Sequence, residues 1–396
     1  MSNPDSNPNQ PRLLSFTLDG WSVLGGRVTV SLHDGVAVLV GRNGAGKSAI
    51  LEGFETISSF SIGKFKRLWQ NDNDSIPKKL EIEILTPTNR HLAYKYELLP
   101  LILDEDIDLD GSTDDNYLLE NQFSWKDSCQ YVDGEKEVLW ATEKGITNFT
   151  NSDNSINNNE TGNTSSFGIN YLTRNSMRKF HIDEMRWAYT TLNGVRLVGK
   201  NSRSKRRKNL LPLSPKGTVA VTGNSLSIDV RLFRQVEKGE IEEIEELCKR
   251  TGLGSKISVQ RFSPQEYASV LLDDVNIGLL SDGTLRVLSI LIELLVSFPS
   301  STIIIEEPEA QIHPAMLAKL LNEIETYTYG ENLILSTHSP QVVSWASPEK
   351  INLVYRKDGR TFVRKLGEDD IHNVIAYLSE EGDLGEWIYS GILDDE

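Results

Sequence analysis

The stretch VAVLVGRNGAGKSAILEGF, residues 36–54, decides the fold of this 396-residue chain. It begins with an apolar strand pattern over residues 36–40 and ends with an apolar helical run over residues 49–54. Between them lies a glycine-rich turn that fits GxxxxGK[ST]. A turn placed in this way presents backbone N–H groups to phosphate at the start of a helix. The sequence therefore predicts a nucleotide-binding α/β fold.

The same turn, named here the phosphate loop (residues 41–48), predicts a role for each of its polar side chains. Lys47 is expected to reach the β and γ phosphates of ATP, and the Ser48 hydroxyl is expected to ligate Mg²⁺. The predicted nucleotide-binding residues of the loop are Gly41, Arg42, Asn43, Gly44, Ala45, Gly46, Lys47 and Ser48.

A second apolar strand pattern, over residues 302–305, ends in two adjacent acids, Glu306 and Glu307. A β-branched run with no polar face is typical of a central parallel strand. Adjacent carboxylates at such a strand end suit a site in which one acid holds Mg²⁺ and the next polarises the attacking water. We assign Glu306 to the metal and Glu307 to the water. Most P-loop enzymes have Asp at the metal position, so Glu306 departs from the general pattern.

Two shorter motifs are weaker when taken alone. Ser281, Asp282 and Gly283 precede a predicted helix over residues 284–297. A hydroxyl and free N–H groups at a helix start form an anion site, although the same peptide also fits an ordinary helix cap. His338 lies in a polar turn after another apolar strand pattern, a position where a histidine is usually only a surface residue.

Taken in order, these motifs resemble the heads of ABC-type ATPases, in particular the RecF, SMC and OLD-like branch. The resemblance implies a mixed sheet with flanking helices that binds ATP and Mg²⁺ between two copies of the chain. Ser281, with Asp282 and Gly283, would meet the γ phosphate bound by the opposite subunit. His338 would contact the γ phosphate and orient the water. The catalytic residues implied are Lys47, Glu307 and His338.

The motif-bearing segments flank a long region of more polar texture. Its Asn-, Ser- and Thr-rich stretch, residues 147–166, is expected to be a mobile loop. Helical spacing over residues 241–250 is followed by Gly252, which suits a helix end. The predicted organisation is a first half of the head in residues 1–60, an inserted β and helical arm in 61–265, and a second half with a carboxyl-terminal tail in 266–396.

Composition narrows the possible environments and partners. The formal net charge of −16 disfavours a surface that binds nucleic acid everywhere. Cys129 and Cys248 are far apart and lack zinc-site spacing, which favours a reducing, cytoplasmic location, and no apolar stretch is long enough to span a membrane. A local basic cluster is the candidate site for nucleic acid or an acidic partner, or only a solvated loop: Lys200, Arg203, Lys205, Arg206, Arg207 and Lys208.

The resemblance also suggests what such a head does. Residues 382–391 resemble the tail of stand-alone ATPases that bacteria encode beside a nuclease-like partner, which implies control of a nuclease or toxin subunit in antiphage defence. A RecF-like repair factor, a transporter subunit and a non-hydrolysing scaffold remain alternatives. The glutamine with which the family contacts Mg²⁺ is not singled out among Gln70, Gln122 and Gln130.

Overall fold

The fold was taken from a computed structural model that describes most of the chain. The described residues are 10–61, 76–100, 123–133, 138–143, 146–150, 156–160, 183–198, 210–213, 228–262, 267–296, 302–328, 331–367 and 370. The helices are α1 (Lys47–Ser61), α2 (Asp183–Asn193), α3 (Ile228–Lys238), α4 (Glu242–Thr251), α5 (Asp282–Val296), α6 (Pro314–Tyr327) and α7 (Pro340–Trp345). None of these helices has the length and apolar character needed to span a bilayer.

The strands belong to three sheets. They are β1 (Arg12–Asp19), β2 (Val28–Ser31), β3 (Val36–Val40), β4 (Lys79–Leu85), β5 (His91–Pro100), β6 (Phe123–Tyr131), β7 (Val138–Glu143), β8 (Ile146–Thr150), β9 (Ile156–Glu160), β10 (Arg196–Val198), β11 (Leu211–Pro212), β12 (Ile257–Phe262), β13 (Tyr267–Leu272), β14 (Val275–Asn276), β15 (Thr302–Glu306), β16 (Asn332–Thr337), β17 (Ile351–Lys357) and β18 (Arg360–Lys365).

The central sheet has the order β10-β15-β16-β3-β17-β18. Its first five strands are parallel, and β18 is added antiparallel at the edge. Strands β3, β15 and β16 are almost entirely buried, as their β-branched and Leu-rich sequences predict for strands covered on both faces. Because these strands are parallel, their carboxyl ends lie along one side of the sheet. The phosphate loop, Glu306 and His338 all lie at this carboxyl edge.

Alternate residues of the central strands contribute to two hydrophobic clusters. Leu39 and Ile304 belong to a cluster that includes α1 and the antiparallel sheet. Val38 and Ile305 belong to a cluster that includes α5, α6 and α7. Successive side chains of a strand point to opposite faces, so the central sheet is covered by these two layers. This arrangement confirms the predicted mixed sheet with flanking helices.

The eight-stranded antiparallel sheet has the order β2-β1-β4-β5-β6-β7-β8-β9. The expectation of a mobile loop over residues 147–166 is wrong for its first half, because β8 and β9 pair as a hairpin in register from Ile146 to Thr150. Asn and Thr side chains do not prevent this pairing, since extension of an existing sheet satisfies backbone groups without apolar side chains. Composition alone therefore underestimated the order of this segment.

A third layer packs on the outer side of α5. Helices α3 and α4 and strands β11–β13 form a cluster around Leu288 and Ile292 of α5, and α5 also faces the central sheet. Helix α4 ends as predicted, with Gly252 at φ 80° as its left-handed cap. The boundaries of the predicted arm, residues 61–265, remain a prediction. Within that range, strands β4 and β5 extend the sheet of β1, and β10 joins the central sheet beside β15.

Candidate active site

The phosphate loop joins β3 directly to the first turn of α1 and packs against the hairpin of β17 and β18. A Cβ atom at Gly41 would collide with the carbonyl of Val354, and one at Gly46 would lie 2.5 Å from Thr361 Oγ1. Gly46 also has φ 108°, which strains any other residue. The Thr361 hydroxyl donates a hydrogen bond of 3.1 Å to the carbonyl of Ala45. The hairpin of β17 and β18 therefore holds the phosphate loop in place through Val354 and Thr361.

Lys47 is folded over its own loop. Its Nζ donates hydrogen bonds to the carbonyls of Gly41 (2.7 Å) and Arg42 (3.2 Å), and the residue is only 5% exposed. Burial lowers the pKa of Lys47, while the nearby carboxylates Glu307, Glu309 and Glu306 act in the opposite direction. The ammonium group thus lies within the electrostatic reach of all three acids.

A cavity opens in front of the loop. Most of its lining comes from the loop and the first turn of α1, and one side chain comes from elsewhere, Glu307. The free N–H groups of a helix start and a cationic side chain form an anion-binding surface. The lining residues are Asn43, Gly44, Gly46, Lys47, Ser48, Ala49 and Glu307.

Glu307 reaches this cavity because the backbone turns sharply after β15. Glu306 is the last residue of the strand and lies opposite Ser336 of β16. Glu307 follows with φ 43°, an uncommon value for Glu, and its N–H donates to the Ser336 carbonyl at 2.9 Å. Such strain is typically retained where a side chain must point in one direction.

His338 lies between two carboxylates. Its Nδ1 is 3.5 Å from Glu307 Oε1 and 3.4 Å from Glu309 Oε1. The side chain of Glu309 is only 10% exposed, whereas that of His338 is 43% exposed. The imidazole of His338 therefore lies beside the cavity with the carboxylates of both Glu307 and Glu309 within 3.5 Å of its Nδ1.

Arg286 and Glu309 are site residues that the sequence analysis did not single out. Arg286 belongs to α5, is 8% exposed and donates through Nη2 to the Glu306 carbonyl. Burial lowers the pKa of Arg286, and the charges of Glu306, Glu307 and Glu309 oppose that shift. The available signal was a lone Arg in the apolar run DGTLRVLSIL, and a third acid three residues after Glu306.

The signature loop, residues 280–284, lies at the start of α5. Ser281 Oγ accepts the Thr284 N–H at 3.1 Å and lies 2.8 Å from Thr284 Oγ1, so Ser281 caps its own helix. Ser281 and Asp282 are exposed. Gly283 lies so close to Gln311 that an added Cβ would collide with the Gln311 carbonyl. The loop is thereby packed on the segment that follows Glu307.

The structure thus brings the phosphate loop, Glu306, Glu307 and His338 to one edge of the central sheet, and places Ser281 on an exposed surface. His313 caps α6 by accepting the Ala315 N–H at 3.2 Å. Gln130 lies in β6 of the antiparallel sheet. The basic cluster over residues 200–208, the tail over residues 382–391, Gln70 and Gln122 lie outside the described residues.

The described residues fit Mg²⁺ bound together with a phosphate ligand. They contain no group of three or more His, Cys, Asp or Glu side chains arranged to hold a metal. Mg²⁺ at nucleotide sites commonly takes one or two protein ligands and completes its shell with phosphate and water. Ser48 lines the cavity and Glu306 ends the strand that leads to Glu307, so this pair suits that mode.

The strand, phosphate loop and helix, together with acids at the end of the neighbouring strands, define a P-loop ATPase. The comparison with protein families identifies the branch: residues 36–344 match the family described as "AAA domain, putative AbiEii toxin, Type IV TA system". The match spans more than half of the chain, and the chain belongs to this family. A comparison with curated proteins gave no match.

The solved structures that match this chain include heads of SMC proteins. The SMC head bound to the C-winged helix domain of ScpA has 15% identity and a TM-score of 0.45, covering 91% of this chain and 99% of that one. The SMC head bound to the C-terminal domain of ScpA from Pyrococcus furiosus has 14% identity, a TM-score of 0.47, and coverage of 93% and 100%. The SMC head from Thermotoga maritima has 12% identity, a TM-score of 0.37, and coverage of 90% and 99%.

Proposed function

We propose that this chain hydrolyses ATP with Mg²⁺ between two copies of itself, and that the ATP-bound pair controls a nuclease or toxin subunit in antiphage defence. The observation that carries the hydrolysis is the position of Glu307. Its side chain lines the same cavity as Lys47 and Ser48, and its Oε1 is 3.5 Å from His338 Nδ1. A phosphate site, a carboxylate and an imidazole therefore meet at one edge of the sheet.

Each residue has a distinct task in this proposal. Lys47 exchanges its hydrogen bonds with the loop carbonyls for contacts with the β and γ phosphates. Glu307 polarises the attacking water as a general base, and His338 orients the γ phosphate. Ser48 and Glu306 would hold Mg²⁺, which supplies neutralisation of phosphate charge when bound.

The second copy completes the site. Ser281 is exposed and caps a helix whose start is an anion-binding position, but it is separate from the residues that line the cavity of its own chain. In a head-to-tail pair, Ser281, Asp282 and Gly283 of one chain would face the γ phosphate held by the other. ATP then binds the closed pair better than the separate chains, so that nucleotide state controls association.

The proposed control of an effector is supported by the family description, which names a toxin and a toxin–antitoxin system. Fold alone does not fix such a role. We expect cells that express the chain with the proteins encoded beside it to plate phage less efficiently than control cells, and the Glu307→Gln variant to lose this protection. Equal plating with the wild type and with this variant would count against a role for hydrolysis in defence.

The hydrolysis itself is tested most directly with Glu307→Gln. The variant keeps the size and hydrogen-bonding ability of the side chain but removes the base. We expect it to bind ATP like the wild type, to hydrolyse it about 100-fold more slowly, and to accumulate as an ATP-bound dimer. Turnover by phosphate release and molar mass by light scattering measure the two effects.

A matched control distinguishes an effect at the active site from the effect of removing any one carboxylate. Glu325→Gln makes the same change at an exposed position near the end of α6. This control should keep wild-type turnover and remain monomeric after ATP is consumed. Equal turnover in Glu307→Gln and Glu325→Gln would show that Glu307 does not act on the water.

A further inference from the structure

Glu309 is more deeply buried than Glu307: its side chain is 10% exposed, against 29% for Glu307. It belongs to the tight segment that follows Glu307, in which the Ala310 N–H donates to the Glu307 carbonyl and the Ile312 N–H donates to the Glu309 carbonyl. This segment fixes the backbone of Glu309. The position of its carboxylate is therefore set by the same turn that directs Glu307 into the cavity.

One oxygen of this carboxylate organises the turn that carries His338. Glu309 Oε1 accepts the Thr337 hydroxyl at 2.7 Å and the His338 N–H at 2.9 Å. Thr337 Oγ1 in turn accepts the Ser339 N–H at 2.9 Å. Glu309 thus holds Thr337, the last residue of β16, and His338 directly, and it holds Ser339 through Thr337.

The same oxygen also faces the side chain of His338. Nδ1 of His338 is 3.4 Å from Glu309 Oε1 and 3.5 Å from Glu307 Oε1. These distances are nearly equal, so the imidazole is shared between the two acids. Without Glu309, Glu307 would be the carboxylate left beside this nitrogen among the described residues.

The other carboxylate oxygen of Glu309 shows that burying this side chain costs stability. Glu309 Oε2 is buried and has no hydrogen-bond partner among the described residues. A buried carboxylate oxygen without a donor is unfavourable, and such exceptions need a reason. A carboxylate that served the fold alone would be better replaced by a neutral side chain.

We propose that Glu309 is a positioning residue for ATP hydrolysis, which holds the His338 turn and competes with Glu307 for the imidazole. Glu307 is then left to act on water. This inference rests on the proposed function, in which Glu307 and His338 act on the water and the γ phosphate. Glu309 acts on hydrolysis through His338 and does not itself contact the nucleotide.

The test compares Glu309→Ala with Glu309→Gln. The Ala variant removes the acceptor of both hydrogen bonds, whereas Gln retains a carbonyl oxygen that can accept them. We expect kcat to fall about 10-fold in Glu309→Ala and about threefold in Glu309→Gln, with KM for ATP unchanged in both. An unchanged kcat in Glu309→Ala would overturn the proposal. A rise of KM for ATP as large as the fall of kcat would overturn it as well.

A double-mutant cycle shows whether Glu309 acts through His338. In a His338→Ala background, Glu309→Ala should lower kcat less than about twofold, because its target is already gone. A further 10-fold fall in that background would overturn the proposal. The control is Glu331→Gln at the other end of the β16 strand, where another buried carboxylate oxygen also lacks a partner among the described residues. This control should keep the wild-type kcat.

Hydrogen–deuterium exchange separates a failure of this inference from a failure of the proposed function. The Glu309→Ala variant should exchange faster than the wild type in a peptide that spans residues 333–345, and Glu331→Gln should not change that peptide's carboxyl-terminal half. If the wild type does not hydrolyse ATP but this exchange still rises, the proposed function fails while Glu309 still holds the turn. If the wild type hydrolyses ATP and the exchange is unchanged, the positioning role fails alone.

Discussion

The phosphate loop and the signature loop differ in how much of their environment one chain supplies. The phosphate loop is fixed from behind by Thr361 and Val354, and Lys47 is 5% exposed. The signature loop is exposed at Ser281 and Asp282, and its hydroxyl is used to cap its own helix. The first loop is ready to hold phosphate in a single chain, whereas the second would need a partner's nucleotide to have an anion to bind.

This difference separates two kinds of defect. A change in the phosphate loop should remove nucleotide binding by the single chain. A change in the signature loop should leave that binding intact and affect only steps that require two chains. Variants that fail to separate in this way would show that the two loops do not belong to opposite sides of one composite site.

The largest effect is expected for Lys47→Met, which keeps the buried aliphatic stem and removes the charge. Loss of the ammonium group should weaken ATP binding and lower hydrolysis about 100-fold or more, because the β and γ phosphates lose the cationic side chain that contacts them. Isothermal titration calorimetry and phosphate release measure the two losses. Lys319→Met, at an exposed position on α6, is the control and should retain wild-type values.

Local sequence was sufficient to predict the phosphate loop, because the whole motif lies within one strand, the turn after it and the start of one helix. The capped end of α4 at Gly252 was predictable for the same reason. These features depend on backbone geometry within one turn.

Contacts between distant segments were not predictable from the same patterns. Glu309 meets His338 across 29 residues, and Arg286 meets the Glu306 carbonyl across 20. Strand β10 lies beside β15 although more than 100 residues separate them. Such pairings depend on how the parallel strands are ordered, which a run of residue types does not encode locally. The third acid and the lone arginine in α5 were visible as residues but not as partners.

An intermediate effect is expected for the signature loop, where two substitutions separate helix capping from phosphate contact. Asp and Asn both cap helices about as well as Ser, so neither Ser281→Asp nor Ser281→Asn should lower the melting temperature appreciably. Asp adds a negative charge where the opposite chain's γ phosphate would lie. We expect hydrolysis to fall about 30-fold in Ser281→Asp and only a few-fold in Ser281→Asn, with ATP binding by the single chain unchanged in both.

Equal turnover in the Asp and Asn variants would contradict a phosphate contact at Ser281 and would leave it as a helix cap. Loss of single-chain ATP binding in Ser281→Asp would instead place the signature loop beside the phosphate loop of its own chain. Either result would remove the distinction between a complete and an incomplete loop. Light scattering with ATP adds an independent measure, since the Asp variant should dimerise least.

The smallest effect is expected for Thr361→Val, which tests how the phosphate loop is fixed. Val keeps the shape of Thr but cannot donate to the Ala45 carbonyl, so one backbone acceptor loses its 3.1 Å hydrogen bond. The cost should be about 1 kcal/mol in the free energy of unfolding, with an ATP affinity about threefold lower because the loop is held less firmly. Denaturant unfolding and calorimetry measure the two. Unchanged affinity would mean that the glycines and Lys47 hold the loop without the hairpin, and the phosphate loop would then depend less on its surroundings than its close packing on β18 indicates.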